Sequence, residues 1–307
     1  MKKISFIITA FNEEDNVVEL HKQINDVIKS INNYEFEIVF IENGSTDKTF
    51  MNLKNIQNYD KKVKIIKLSR NFGFDGGITA GLDRVDTDAA IIMTANLQDD
   101  PAVVPKFIDK WQEGFDMVYG IVTNRPGKSL LRKINSSVFY SLIKLLTNGM
   151  IPKDVSDYRL VDKKVISALR ELKEANRFYR GFFSWVGFNT IGVEFERQQR
   201  FSGISKATTS TQISFATRGL FAFSNFPLRL SILFTILCSV SAITLLSIQT
   251  YRWFTLGVPF DGFGTIVGLF LLFFSFLFAI LSVLGQYIGM IFEETKSRPI
   301  YIIDEEF

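Results

Sequence analysis

Four short apolar runs within the first hundred residues set the pattern of the chain, at residues 4–9, 36–41, 63–68 and 89–92. The last run has no polar alternation, which is typical of a strand buried on both faces of a parallel sheet. Segments of helical character separate the runs, the first from about residue 12 to residue 31. Strands that alternate with helices predict an α/β fold, with a doubly wound, mostly parallel sheet over roughly residues 1–120.

Two later runs carry no charged residue, at positions 230–251 and 263–292. Each exceeds the roughly 20 residues that a helix needs to cross a hydrocarbon core of about 30 Å. They predict two transmembrane helices within residues 229–292. Basic residues precede the first helix and follow the second, so the positive-inside rule predicts that both termini are cytoplasmic. With its Lys, Asn and Ile richness, the chain is expected to be a multi-pass protein of a bacterial inner membrane.

The remaining segments divide around these helices. We predict a cytoplasmic domain at 1–210, a juxtamembrane helix at 211–228 and a cytoplasmic tail at 293–307. Residues 129–148 combine apolar positions at helical spacing with basic ones, which fits an interfacial membrane helix or a helix packed on the domain core. In the tail, residues 300–303 form a β-prone run that could extend a sheet edge, its own or a neighbouring subunit's.

Composition adds three limits. The net charge of +3 is modest and does not favour nucleic acid as a partner. The single cysteine, Cys238, lies in the first long apolar run, so no intrachain disulfide can form. The single histidine, His21, falls in a polar helical segment, and we expect its side chain to be exposed to solvent.

Polar loops follow the four predicted strands, at residues 11–13, 42–45, 69–73 and 94–99. In an open α/β sheet, ligands bind beyond the carboxyl ends of the strands. Glu13 and Glu42 can accept hydrogen bonds from a ribose or a base edge, and Arg70 suits an anion. Oxygen ligands in the fourth loop could face a divalent cation. This set predicts a nucleotide that carries a diphosphate, whereas neither a G-x-G-x-x-G fingerprint nor a Walker loop is present.

The residues of these loops resemble motifs of glycosyltransferase family 2. In chain order the matching motifs are Thr9-Ala10-Phe11-Asn12-Glu13, Glu42-Asn43-Gly44-Ser45-Thr46-Asp47, Ser69-Arg70-Asn71-Phe72-Gly73, Asn96-Leu97-Gln98-Asp99, Asp157-Tyr158-Arg159-Leu160, Asn176-Arg177-Phe178-Tyr179-Arg180-Gly181 and Arg200-Phe201-Ser202-Gly203-Ile204-Ser205-Lys206. Within the family, the chain is similar to the polyprenyl-phosphate glycosyltransferases. The resemblance implies a GT-A fold and inverting transfer of one sugar, with UDP favoured as the carrier nucleotide, to a polyprenyl phosphate such as undecaprenyl phosphate.

The resemblance also implies roles for single residues. The residues expected to bind the nucleotide-sugar are Thr9, Phe11, Glu13, Glu42, Gly44, Ser45, Arg70, Asn71, Thr94, Ala95 and Asn96. Those expected to act in catalysis or line the acceptor side are Gln98, Asp157 and Arg159. Those expected to attract the acceptor phosphate are Arg125, Arg132, Arg200, Ser205 and Lys206. A family metal, Mg²⁺ or Mn²⁺, would fall to Asn96, Gln98 and Asp99. The membrane is an expected partner, and a homo-oligomer stays open.

One departure from the family pattern bears on the metal. Family members usually have Asp-x-Asp where this chain has Thr94-Ala95-Asn96. Neutral amide oxygens attract a hard cation less than carboxylates do. Three hypotheses follow: a transferase with weak or absent metal dependence, a transferase whose metal is held by Asp99, and a catalytically silent membrane scaffold. A family 2 transferase with a different acceptor is a further alternative.

Overall fold

The protein is described here from a computed structural model, which describes residues 1–124, 155–198, 221, 226–257 and 262–307. The chain folds into two compact units. One unit is Met1–Phe215 with Arg298–Phe307, and the other is Ala216–Ser297.

An eight-stranded sheet in the order β7-β5-β6-β4-β1-β2-β3-β8 forms the centre of the first unit. Its strands are β1 (Lys2–Ala10), β2 (Tyr34–Glu42), β3 (Val63–Leu68), β4 (Ala89–Thr94), β5 (Met117–Asn124), β6 (Val155–Asp162), β7 (Thr190–Glu196) and β8 (Ile303–Glu306). The helices are α1 (Val17–Lys29), α2 (Thr49–Tyr59), α3 (Gly73–Arg84), α4 (Val104–Gln112), α5 (Lys163–Glu171) and α6 (Tyr179–Trp185), with a 3-10 turn at Pro101–Val103. The predicted α/β fold is confirmed.

The four strands predicted from the apolar runs form the parallel middle of the sheet. β1 pairs in parallel with β2 and β4, and β2 pairs in parallel with β3. Residues 4–10 of β1 are all buried, because helices cover both faces of a parallel sheet. The amphipathic helix α1, for example, buries Val17, Leu20 and Ile24. The central strands therefore end at one common edge.

The outer part of the sheet extends beyond the predicted region. β6 runs antiparallel to β4, β5 runs antiparallel to β6, and β7 runs parallel to β5. At the opposite edge, β8 pairs antiparallel with β3. The tail thus extends a sheet edge of its own chain, with its strand at Ile303–Glu306 rather than at the predicted residues 300–303.

Two local predictions need correction. The first helix begins at Val17 rather than at residue 12, because residues 12–16 form turns beside the second loop. His21 is buried, with 5% of its surface exposed, and the prediction of an exposed histidine was wrong. Its Nε2 lies 2.9 Å from Asp60 Oδ2, and Asn25 bonds to both side chains. The distant Asp60 and the helical neighbour Asn25 thus give the buried Nε2 polar partners.

The second unit contains two long apolar helices, α7 (Phe226–Leu256) and α8 (Phe263–Thr295). By length and composition both are candidate membrane spans, over Phe226–Thr255 and Ile266–Thr295. Their large apolar side chains are largely exposed, as lipid-facing side chains are. The rings of Phe234 and Phe276 join the two helices, with centroids 5.5 Å apart. Cys238 is a free thiol on α7, as expected.

Candidate functional site

Four loops meet at the carboxyl edge of the parallel strands. β1, β2, β3 and β4 end at Ala10, Glu42, Leu68 and Thr94, and they are neighbours in the sheet. The first and fourth loops meet where the Ala95 amide donates to the Thr9 carbonyl at 3.0 Å. This is the edge where open α/β sheets bind ligands.

Hydrogen bonds tie the first loop to the second. The Asn12 amide donates to Ser45 Oγ at 3.0 Å, and the Asn12 side chain accepts from the Thr46 amide at 2.8 Å. The Glu13 amide donates to Thr49 Oγ1 at 2.8 Å. Asn12 has a φ of +52°, a conformation that Asn tolerates better than most residues. Phe11, Glu13 and Ser45 therefore lie in one joined wall, each partly exposed.

Glu42 is fixed inside this wall. Only 1% of its surface is exposed, and its Oε1 accepts a hydrogen bond from the Ser45 amide. The turn between them depends on Gly44, whose φ is +70°. A Cβ on Gly44 would lie 2.5 Å from the carbonyl carbon of Arg70, so the second and third loops touch backbone to backbone.

Asn43 holds the third loop against the second. Its Oδ1 accepts from the Phe72 amide at 2.9 Å, and its Nδ2 donates to the Gly73 carbonyl at 2.8 Å. Arg70 and Asn71 are exposed beyond this anchor, and the Arg70 guanidinium lies 4.0 Å from the Phe72 ring centroid. A cavity of about 420 Å³ lies between the two loops. Its lining includes Glu42, Gly44, Ser45, Lys67, Ser69 and Asp304.

The fourth loop is held by hydrogen bonds among its own side chains. Asn96 Oδ1 accepts from Thr94 Oγ1 at 2.9 Å and from the Gln98 amide at 3.1 Å. Asn96 Nδ2 donates to Gln98 Oε1 at 3.2 Å. Leu97 between them has a φ of +56°, a conformation that a leucine rarely adopts and that is typical of functional loops.

Asp99 closes the fourth loop in a buried position, with 2% of its surface exposed. Its Oδ1 lies 3.2 Å from Arg197 Nη2, just beyond the end of β7. Burial raises the pKa of the Asp99 carboxyl above its usual value, and the neighbouring Asp157 charge adds to the rise. The charge of Asp157 thus acts on the Asp99 carboxyl group.

Asp157 on β6 forms a two-point ion pair with Arg180 on α6. Arg180 Nε donates to Oδ1 at 3.0 Å, and Nη2 donates to Oδ2. Burial alone would raise the pKa of Asp157, but Arg180 outweighs it and holds this pKa below its usual value. The pKa values of these two carboxyl groups are therefore shifted in opposite directions, which is a common feature of active sites.

Arg159, predicted to line the acceptor side, is placed in the core with 2% of its surface exposed. Its guanidinium donates to the backbone carbonyls of Asp157 and Ser156 and stacks 3.8 Å from the Phe183 ring centroid. Burial lowers its pKa to about 10, so the group still carries its charge at neutral pH. Arg159 therefore contacts the backbone beside Asp157 rather than an open surface.

The expected metal position offers two amide oxygens and one carboxylate, and each of them already has a partner within the protein. The Asn96 and Gln98 amide oxygens already accept hydrogen bonds, and the Asp99 carboxylate faces Arg197. In the described part of the chain, no three His, Cys, Asp or Glu side chains form a group that could hold a metal ion. Hard cations prefer carboxylates over neutral amides already engaged elsewhere.

The structure thus brings together the nucleotide-binding residues predicted in the four loops, with Asp157 beside the fourth. The acceptor-phosphate residues Arg125, Arg132, Arg200, Ser205 and Lys206 lie outside the described residues. So do the amphipathic helix at 129–148 and most of the juxtamembrane segment at 211–228.

Sequence reasoning missed three residues of the site. Asn43 and Arg180 stood within the quoted motifs without a role, and Arg197 stood outside them. The position of Arg197, three residues before Arg200, is a signal that could have identified it. Its pairing with Asp99 joins residues 98 positions apart, which local pattern does not reveal.

Comparison with known proteins now decides the family. A model of glycosyl transferase family 2 matches residues 5–170. The bactoprenol glucosyl transferase of Shigella phage SfX is 34% identical over 301 residues, covering 98% of this chain and 98% of that protein. The chain belongs to glycosyl transferase family 2. An uncharacterized glycosyltransferase of Synechocystis sp. is 33% identical over 99% of this chain and 95% of that protein.

A solved structure supports the fold of this family 2 glycosyltransferase. Glucosyl-3-phosphoglycerate synthase from Mycobacterium tuberculosis, in complex with Mn²⁺, UDP and glucosyl-3-phosphoglycerate, has a TM-score of 0.50. The two sequences are 15% identical, and the matched region covers 72% of this chain and 78% of the synthase chain. The GT-A fold and the resemblance to family 2 are confirmed.

Proposed function

We propose that this glycosyltransferase transfers one sugar from a UDP-linked nucleotide-sugar to polyprenyl phosphate, such as undecaprenyl phosphate, for cell-surface glycan modification. The main support is the identity of 34% over nearly the full length to the bactoprenol glucosyl transferase of phage SfX. The cavity beside Glu42 supports a nucleoside, because its carboxylate can accept hydrogen bonds from a base or a ribose.

In this proposal the acceptor phosphate is itself the nucleophile. Its second pKa is about 6, so most molecules are doubly ionised at neutral pH and need no general base. A phosphate oxygen forms the new bond to the anomeric carbon on the face opposite the leaving UDP, whose bond to that carbon breaks. The configuration at the anomeric carbon is inverted, and UDP leaves with the electrons of the broken bond.

Asp157 then acts by orienting other groups rather than by removing a proton. Its lowered pKa keeps it ionised, and its two-point contact fixes the direction of the Arg180 guanidinium. Alignment of the nucleophile with the anomeric carbon is the step that such fixed groups promote. Arg70, exposed in the third loop, and Arg197, beside the fourth loop, would stabilise the negative charge that develops on the departing diphosphate.

We infer that, because of this charge stabilisation, the transfer reaction depends only weakly on a divalent metal or does not require one. The oxygens of Asn96 and Gln98 are held by hydrogen bonds within the loop, and Arg197 faces Asp99. A guanidinium beside the carboxylate competes with a cation for the same charge. The alternative, a metal held by Asp99, requires this ion pair to break.

The two apolar helices would hold the enzyme in the membrane that contains its lipid acceptor. We propose that both helices span the bacterial inner membrane, with the first unit and both termini on the cytoplasmic side, where nucleotide-sugars are available. Basic residues outside the two spans support this orientation.

A transfer assay with the purified full-length protein tests the proposal. Undecaprenyl phosphate is incubated with a panel of UDP- and GDP-sugars, with and without EDTA, and the lipid product is identified by mass spectrometry. A glycosyl phospholipid formed equally in EDTA supports both the transfer and its metal independence. Activity that EDTA abolishes and Mn²⁺ restores would favour the metal held by Asp99.

Further outcomes of this assay separate the remaining alternatives. Nucleotide binding without transfer to any polyprenyl phosphate, but with transfer to another acceptor, would overturn the proposed acceptor. Absence of both binding and transfer for every donor would favour the silent scaffold. Asp157→Asn, which removes the charge paired with Arg180, serves as the inactive control.

A further inference from the structure

The carboxyl-terminal strand β8 is not used by the function proposed above, although it lies against the site. It pairs antiparallel with β3, and three further backbone hydrogen bonds lengthen the pairing. The Ile65 amide donates to the Phe307 carbonyl at 3.0 Å, and the Phe307 amide donates back at 2.9 Å. The Ser69 amide donates to the Ile302 carbonyl at 3.0 Å. Residues 302–307 are thus held against residues 65–69.

Side chains reinforce this contact from both ends of the strand. Lys67 Nζ lies 2.6 Å from Asp304 Oδ2 and 3.0 Å from Glu305 Oε1, and the pair raises the pKa of Lys67 to about 12. The Phe307 ring packs against Phe50, with centroids 5.9 Å apart. Lys54 Nζ lies over the Phe307 ring. The strand is therefore fixed in register relative to the third loop.

That register brings one tail residue into the nucleotide cavity. Asp304 lines the cavity of about 420 Å³ together with Glu42, Gly44 and Ser45, whereas Glu305 does not line it. In the described part of the chain, only Oδ2 of Asp304 has a partner, which is Lys67. Oδ1 can therefore accept a hydrogen bond from a ligand.

The charge of the wall indicates which end of a nucleotide it suits. The lining carries three carboxylates, of Glu42, Asp47 and Asp304, and two lysines, Lys48 and Lys67, of which Lys67 is already paired with the tail. Carboxylates repel a diphosphate but accept hydrogen bonds from N–H groups of a base or from ribose hydroxyls. The cavity volume falls within the range of small-molecule sites.

We propose that β8 is a functional wall of the nucleotide-sugar site and that Asp304, positioned by Lys67, contacts the nucleoside and contributes to base selectivity. This inference rests on the proposed function. Residues 296–302 connect α8 to this strand, so the chain passes from the second apolar helix directly into the strand that carries Asp304. Removal of the tail would open that wall.

A pair of neighbouring variants of the full-length protein tests this inference. Asp304→Asn removes a carboxylate that lines the cavity, and Glu305→Gln removes one that binds the same lysine outside it. The exposed fractions of the two side chains, 46% and 47%, are nearly equal, so their contributions to stability should match. Isothermal titration with UDP and with GDP measures nucleotide binding, and the transfer assay supplies KM and kcat.

The expected result is a five- to tenfold weaker binding of the preferred nucleotide, or a matching rise in KM, for Asp304→Asn, from loss of about one charged hydrogen bond. For Glu305→Gln we expect a change below about twofold. Equal effects of the two variants, or none, would overturn the role of Asp304 while the proposed function stands. A wild-type protein that binds neither nucleotide would instead overturn the proposed function.

Discussion

The close approach of the second and third loops at Gly44 allows the geometry of the cavity to be tested by one methyl group. Gly44 has a φ of +70°, and Gly73 has a φ of +79°. A Cβ on Gly44 would meet the Arg70 carbonyl carbon at 2.5 Å and its Cα at 2.7 Å, but a Cβ on Gly73 would meet nothing within 4 Å. The two glycines share the backbone requirement and differ in the space around them.

The expected losses of stability follow from this difference. An alanine in the left-handed region costs about 1–2 kcal/mol at either position. Gly44→Ala must also push the Arg70 backbone away, which adds about 1–3 kcal/mol of overpacking. Gly44→Ala should therefore destabilise the first unit by about 2–5 kcal/mol, and Gly73→Ala by about 1–2 kcal/mol.

Thermal unfolding of the full-length protein in detergent, with titration by UDP, measures both consequences. Gly44→Ala moves the cavity wall, so nucleotide affinity should fall about tenfold, and Gly73→Ala should leave it within about twofold. Equal losses of stability and affinity in the two variants would refute the backbone contact between the loops.

Three further predictions concern charge. Asp157→Asn leaves the Arg180 charge unpaired, so kcat should fall at least about 100-fold while nucleotide affinity stays within about threefold of the wild type. Steady-state kinetics measure kcat, and titration measures the affinity. Equal losses of kcat and affinity would contradict a positioning role for Asp157. The double variant Thr94→Asp/Asn96→Asp should gain Mn²⁺ binding in electron paramagnetic resonance titrations, and equal binding by the wild type would contradict the assignment of the loop. Glu37→Gln should lower the unfolding temperature at pH 7, with the difference from wild type shrinking as the pH falls below 4.5.

The pH dependence of the Glu37 prediction follows from the direction of its pKa shift. Burial raises the pKa of Glu37, but hydrogen bonds from Lys64 and Lys3 outweigh burial and hold this pKa below its usual 4.5. The ion pairs therefore stabilise the fold fully above about pH 4.5, and the stabilisation is lost as the pH falls through the lower folded-state pKa. A gap between variant and wild type that does not shrink as the pH falls below 4.5 would contradict this assignment.

The parallel half of the fold could be predicted because its strands carry a local signal. Residues 89–92 are apolar throughout and residues 4–9 are mostly apolar, and burial between two helical layers favours that pattern. β6 escaped prediction because Asp157 and Arg159 interrupt its apolar residues, although both side chains find partners in the folded sheet. Their partners, on α6 and in neighbouring backbone, are not visible in the local pattern.

In the candidate site, too, some positions could be predicted from the sequence and others could not. The position of Glu42 and Asn96 at one edge follows from strand order, which alternation of strands and helices predicts. The burial of His21 and the pairing of Asp99 with Arg197 depend on contacts distant in sequence. The tail strand was expected to add to a sheet edge, but its entry into the nucleotide cavity depends on the register between β3 and β8.

The proposed transfer of a sugar to polyprenyl phosphate can be tested in bacterial membranes. The lipid-linked sugars of bacterial membranes are compared by mass spectrometry with and without this protein, and with the Asp157→Asn variant as control. We expect one additional polyprenyl phosphate that carries a single sugar, present with the wild type and absent with the variant. An unchanged lipid pool, from membranes that contain the folded wild-type protein and its sugar donors, would contradict it.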